Sequence, residues 1–144
     1  FRTGNAAAST LASGPGADVL TGLGGADTFR LNNLRDSLLG APDQITDLAI
    51  GSDRIDGPRA ISAAALRELG AVASLTPNAL AAVLTPASFA ANGGATFTLA
   101  AGGSGSGSRT FLALNDGTAG FQASSDAIVE ITGYSGSLAA LAVV

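Results

Sequence analysis

Two stretches of nine residues decide how this chain reads: Ser13-Gly14-Pro15-Gly16-Ala17-Asp18-Val19-Leu20-Thr21, then Gly22-Leu23-Gly24-Gly25-Ala26-Asp27-Thr28-Phe29-Arg30. Each carries glycines ahead of an aspartate and one large apolar residue two places after it. The step continues outward on both sides. Leu11, Leu20, Phe29 and Leu38 stand nine residues apart, and Asp18, Asp27 and Asp36 keep the same step. Ser9 takes the aspartate place in the segment before. A fixed period of this kind points to stacked turns of chain that share one core. Glycines turn the chain sharply and leave carbonyls exposed, while the apolar residue points inward on a short strand.

Composition narrows the chemistry. The chain has 144 residues, is 47% hydrophobic and only 12% charged, where ~25% charged is usual. It contains no His, Cys, Met, Trp or Lys, and all seven cations are Arg. Without His there is no Ser-His-Asp triad and no imidazole base. Without His or Cys, the usual nitrogen and sulfur ligands of zinc are missing. Without Lys, a Walker-type phosphate loop and a Schiff base are both excluded. Carboxylates, hydroxyls and backbone carbonyls remain, the ligand set of hard cations. The net charge of −4 argues against a phosphate-backbone partner, which needs a basic face. No apolar run approaches the ~20 residues of a membrane span. The chain opens on Phe1 rather than Met and reads as a piece of a longer protein.

Three zones follow along the chain. Residues 1–58 carry the repeats. Residues 59–92 are rich in Ala and Leu, and Ile61, Ala65, Leu66 and Leu69 fall at helical spacing, which predicts a helix from Ala60 to Leu69 stopped by Gly70. Thr76-Pro77 predicts a second helix start, with Thr as the cap and Pro in the first turn. Thr85-Pro86 repeats that signal. Residues 93–144 return to strand chemistry, with strands expected near 95–100, 109–114 and 127–132 and a Gly/Ser loop from Gly102 to Ser108. Asn115-Asp116-Gly117 reads as a tight turn.

The two central segments approximate the glycine-rich nonapeptide G-G-x-G-x-D-x-U-x of a calcium-binding parallel β-roll, and residues 13–30 resemble repeats of the RTX family of secreted proteins. Asp43-Gln44-Ile45-Thr46-Asp47-Leu48 and Gly51-Ser52-Asp53-Arg54-Ile55-Asp56 resemble the segment that closes the roll in serralysin-type C-terminal domains, with Leu48 in place of that family's Phe. Residues 109–121 and 126–134 resemble the bluetail domain, a C-terminal module of large proteins with RTX-like repeats. The resemblance implies calcium held between segments eighteen residues apart. Asp18 would then pair with Asp36, aided by the carbonyls of Gly14, Gly16 and Asn33. Asp27 would have Ser9 below it and the carbonyls of Gly22 and Gly24, or would look forward to Asp43. Calcium takes six to eight oxygens, so two carboxylates and several carbonyls are about the minimum.

Turn capping competes with metal ligation for each of these aspartates, since Asp favours turns. Asp47, Asp53 and Asp56 read as a strand face with local hydrogen bonds, balanced with the others by Arg30, Arg35 and Arg54. Asp116 with Asp126 could make another oxygen site, but a hairpin turn and a strand start explain them better. The expected fold is mainly β: a short right-handed parallel β-roll near 9–48 running into a β-rich, sandwich-like half, with a few short helices at about 60–90. Residues 1–144 form one C-terminal module in this reading. Its function would be non-catalytic: it binds Ca2+, folds on calcium outside the cell and carries a type I secretion signal in its last ~60 residues, as the resemblance implies. The partners would be the type I secretion machinery and the upstream domain of the same protein, with no nucleic acid and no membrane span. A calcium-rigidified surface adhesion or assembly module, self-association included, is the alternative.

Overall fold

The computed structural model describes residues 1–62, 65–99 and 108–144. The expected Gly/Ser loop falls, except for Ser108, outside these residues. The nine-residue beats become short strands: β1 (Arg2–Thr3), β2 (Thr10–Ala12), β3 (Val19–Thr21), β4 (Thr28–Arg30), β5 (Asp43–Ile45) and β6 (Arg54–Asp56). They alternate between two sheets, β1-β3-β5 in one and β2-β4-β6 in the other, and every pairing among them is parallel. Leu11, Phe29 and Ile55 stand in register across the second sheet, and Leu20 faces Ile45 across the first. All five are buried. A three-residue strand buries little alone, so each level depends on its neighbours.

The period changes after the second level. Leu11 pairs with Phe29 eighteen residues on, but Leu20 pairs with Ile45 and Phe29 with Ile55, twenty-five and twenty-six residues on. The added residues form an excursion with a 3-10 turn at Leu34–Asp36. Asp36 and Leu38 therefore leave the ladder expected of them. Asp43 and Ile45 take those places, and Asp53 with Ile55 repeats the beat on the other sheet.

Beyond β6 the chain forms β7 (Leu66–Val72), α1 (Pro77–Val83), β8 (Gly94–Leu99), β9 (Arg109–Leu114) and β10 (Ala127–Glu130). These strands extend the first sheet to seven, in the order β1-β3-β5-β10-β9-β8-β7. The three strands expected in this half are present, antiparallel from β8 through β10. Thr76 caps α1 as expected, its hydroxyl accepting from the Ala79 amide at 3.3 Å. Leu80, Leu84, Phe89, Phe97, Phe111 and Ile128 make a second core, with Phe97 and Phe111 stacked 5.4 Å apart.

The helix expected at Ala60–Leu69 is not formed. Leu66 to Val72 is a strand parallel to β8, and Gly70 lies within it at φ +81°. One extra residue is accommodated between Glu68 and Ala71. Such a bulge spaces Leu66, Leu69 and Val72 by three rather than two, which imitates a helical stripe in the sequence.

The end of the chain returns to the roll. β10 runs parallel to β5 with Val129 beside Asp43, Ser135 forms a parallel bridge with Ala49, and Val143 a parallel bridge with Ile55. Residues 127–144 thus retrace residues 43–57 one level up. Ile131, Leu141 and Val143 are buried with the roll core.

Candidate metal centre

The aspartates form two ladders along the turn edges of the roll, and each rung is a carboxylate accepting an amide from the level below. Asp27 Oδ1 accepts from the Ser9 N–H at 2.9 Å, and Asp53 Oδ1 accepts from the Asp27 N–H at 2.8 Å. On the other edge Asp43 Oδ1 accepts from the Asp18 N–H at 2.9 Å. Strand register dictates these pairs, because a residue just before one strand lies beside the residue just before the next. The partner of Asp18 is therefore Asp43 rather than Asp36. Asp27 has Ser9 below it as expected, but its forward neighbour is Asp53 rather than Asp43.

The second carboxylate oxygen separates these residues. In Asp18 it accepts from the amide four residues earlier, Gly14 N at 2.9 Å, and in Asp53 it does the same with Ala49 N at 2.8 Å. Asp126 repeats the arrangement with Gln122 N at 2.6 Å. For Asp27 the corresponding amide is that of Leu23, and it donates instead to Asp47 Oδ2 at 2.7 Å, beside the Gly22 N–H on Asp47 Oδ1 at 2.8 Å. Asp27 Oδ2 is left buried with no hydrogen-bond partner, and so is Asp43 Oδ2. Both residues are only 1% exposed. A buried polar atom without a partner costs about 1–3 kcal/mol, more if charged.

The glycines stand where the ladders need them. A Cβ on Gly22 would lie 2.2 Å from Asp27 Oδ2, and a Cβ on Gly25, whose φ is +96°, would lie 2.6 Å from the Ala7 carbonyl carbon. Gly14 and Gly16 have open space around them. Among the described residues the carbonyls of Gly14, Gly16, Gly22 and Gly24 accept no hydrogen bond, whereas that of Asn33 already accepts the Asp36 N–H at 3.1 Å. Hard oxygen donors with unspent capacity thus lie along both edges: one carboxylate oxygen of Asp27 with the carbonyls of Gly22 and Gly24, and one of Asp43 with those of Gly14 and Gly16. This donor set fits a calcium ion in kind. Among the described residues no three acidic side chains gather at one point, so the carbonyls would supply most of a shell.

Electrostatics agree with the geometry at Asp43. Burial pushes its carboxyl up to about 6, opposed by the Asp18 amide and the nearby Ser13 hydroxyl, while the charges of Asp18 and Asp36 add to the rise. Asp36 is thus within electrostatic reach of the Asp18–Asp43 pair although it is not a rung. Sequence reasoning placed Asp53 on a solvated strand face, yet it is buried and is a rung; its D-x-apolar beat with Ile55 was the available signal. Asp47 caps two amides, and Asp56 pairs with Arg30 at 2.9 Å as expected. Arg54 donates to the Thr28 hydroxyl rather than to a carboxylate. Asp126, read as a strand start, is fully buried with Asp116 beside it: the Asp116 N–H donates to Asp126 Oδ1 at 3.1 Å.

The family model of the peptidase M10 serralysin C terminal matches residues 5–94, from the first turn of the roll to the start of β8. β9 and β10, which carry the bluetail resemblance, lie beyond that match. No curated protein matches the chain. Among the described residues no helix is long and apolar enough to cross a membrane.

Proposed function

The chain belongs to the peptidase M10 serralysin C-terminal family, and from that premise we propose that it is a non-catalytic module of a secreted bacterial protein whose roll binds calcium outside the cell. The observation that carries this reading is the pair of buried, unpartnered carboxylate oxygens, Asp27 Oδ2 and Asp43 Oδ2, one on each edge of the roll. A bound calcium ion supplies the positive charge against which such carboxylates ionise at little cost. Asp27 and Asp43 would hold it, with the carbonyls of Gly22 and Gly24 on one edge and of Gly14 and Gly16 on the other. Asp18 has the weaker claim, since Gly14 N occupies one of its oxygens. Ser9, Asp27 and Asp18 contribute through their amides, which fix the carboxylate of the next level.

Coupling to folding follows from where the ligands lie. Asp27 and Asp43 take up their positions only when levels stack, so the folded chain binds the ion and the unfolded chain does not. Binding then stabilises the fold by RT ln(1 + [L]/Kd), ~2.7 kcal/mol per site at a hundredfold excess. In low calcium the two unpaired oxygens oppose stacking, which would keep the chain threadable before export. The secretion signal belongs in this reading to the C-terminal part of the chain, and the type I machinery is its partner.

Calcium titration of the purified chain by circular dichroism and calorimetry, with magnesium as control, tests the proposal. Calcium alone should raise the β signal cooperatively, and Asp27→Asn with Asp43→Asn should abolish the response. A chain that is folded in chelator and indifferent to calcium would overturn it.

A further inference from the structure

The level that closes the roll is built by the end of the chain, which occupies a slot. Leu141 to Val144 lie between β6 on one side and Ile61 on the other. Ile55 N donates to Ala142 O at 3.0 Å, Val144 N to Ile55 O at 2.8 Å, Gly57 N to Val144 O at 3.1 Å and Ile61 N to Val143 O at 3.0 Å. Val143 forms a parallel bridge with Ile55 and an antiparallel one with Ile61. Leu141 and Val143 are each 3% exposed, while Ala142 and Val144 face outward. The slot therefore reads an extended segment in which large apolar residues alternate with residues of any kind, the mode of recognition by an added β-strand.

The connection to this strand is unlike the strand itself. From Ser135 to Ala140 every residue except Leu138 is exposed, and Gly133 and Gly136 have φ of +91° and +90°. Glycines in that region reach alternative conformations at little steric cost. A well-bonded strand on an exposed glycine-hinged connection can leave its own slot and enter an identical one with every contact reproduced, a low-cost route to domain-swapped dimers.

We propose that the slot between β6 and Ile61 is a strand-binding site whose exchange partner is the Leu141–Val144 segment of a second copy of this chain. In the folded monomer the site is filled by the chain's own Leu141–Val144 segment. At high protein concentration the same four backbone hydrogen bonds and two buried side chains join two copies. This association requires no metal and is independent of the calcium reading.

The chain has no cysteine, so a pair of single replacements reports exchange cleanly. Ile61→Cys and Val143→Cys versions of the 144-residue chain are mixed in equal amounts, held at high concentration, then oxidised in chelator. Exchange predicts that the mixed dimer linked between positions 61 and 143 dominates the cross-linked product and grows with concentration before oxidation. A mixed dimer at or below the one-half expected of random collision overturns the proposal. Shortening the connection by deleting Gly136 and Ser137 provides a second measurement that leaves slot and strand intact. The shortened chain should sediment as a dimer with the Ile55 and Val144 amides protected from hydrogen exchange. A shortened chain that stays monomeric, with those amides protected or exchanging freely, is the contrary result.

Discussion

Asp126 offers the sharpest test of how this fold treats buried charge. It has no exposed surface, and its oxygens accept from Asp116 N at 3.1 Å and Gln122 N at 2.6 Å. Burial pushes its carboxyl from 3.8 up to about 6, and the neighbouring Asp116 charge contributes. The folded state therefore holds a proton that the unfolded state has released between those two pH values. Stability must fall as pH rises through this window, by up to ~1.4 kcal/mol per pH unit and on the order of 3 kcal/mol in all. Asp43, raised to about 6 chiefly by burial, adds a loss of the same sign when no cation is bound. Glu130 and Asp116 act oppositely. Arg109 and hydrogen bonding hold Glu130 below its ordinary value, and hydrogen bonds from Ser125 and Thr118 outweigh burial at Asp116. Their contributions are present above the ordinary carboxylate range and vanish as pH falls below it. The stability maximum in chelator should lie near pH 4–5.

Asp126→Asn isolates one member of this balance. The amide carries no titrating proton, but it turns one acceptor into a donor facing an N–H, at a pH-independent cost of ~1–3 kcal/mol. Urea unfolding of both chains in chelator, from pH 4.5 to 7.5, reads the difference. At pH 4.5 the variant should be the less stable. The two curves should converge toward pH 7.5, because the parent alone loses the Asp126 contribution. Parallel curves with equal slopes would show that Asp126 ionises freely inside the fold, and the argument from burial would fail.

Gly22→Ala places a Cβ 2.2 Å from Asp27 Oδ2 and should cost roughly 2 kcal/mol or more by thermal unfolding, whereas Gly14→Ala, with open space around it, should stay within about 0.5 kcal/mol. Asp47→Ala releases the Leu23 N–H to turn to Asp27 Oδ2. Calorimetry should then register weaker calcium binding although no proposed ligand has been removed; unchanged affinity would refute the role given to that amide. Arg109→Ala removes a two-point contact with Glu130 at 2.8 and 3.0 Å and a cation over the Phe111 ring. With the arginine partly solvent-exposed, the loss should be about 0.5–1 kcal/mol by urea midpoint and smaller at high salt.

Much of the roll was legible because its signal is local. A glycine-rich turn, an aspartate and an apolar beat recur within eighteen residues, and Leu11 with Phe29 needed only counting. The excursion at residues 32–42 was illegible for the reason that Asp36 and Leu38 continue the nine-residue step by composition. Only the register with Asp43 and Ile45 reveals that the ladder resumes later. The bulge at Glu68–Ala71 hid β7 by giving a strand the apolar spacing of a helix. Of the closing level only the strand near 127–132 was legible, and its stacking on β5 was out of reach of pattern reading. Val129 and Asp43 belong to adjacent rungs but are separated by the whole second core, and nothing in Ala127–Val144 repeats the glycine-aspartate motif at its period.

At Asp27 the motif and the chemistry part company. Asp18, Asp53 and Asp126 each spend the second oxygen on the amide four residues back, so an aspartate before a strand in this protein is by default a turn-capping residue. That default accounts for its frequency without any metal. Asp27 stands in the same local sequence, yet Asp47, one level above, takes the Leu23 amide, and Leu23 adopts φ +71° in a turn shaped by that contact. A carboxylate twenty residues along the chain thus decides whether Asp27 is capped or left with a free buried oxygen. Asp43 reaches the same condition differently, through an excursion that brings Ser37 Oγ to its own N–H at 2.8 Å and no amide from four residues back to its side chain. The candidate ligands are therefore marked by what their neighbours withhold, and the repeat alone cannot tell a ligand from a cap.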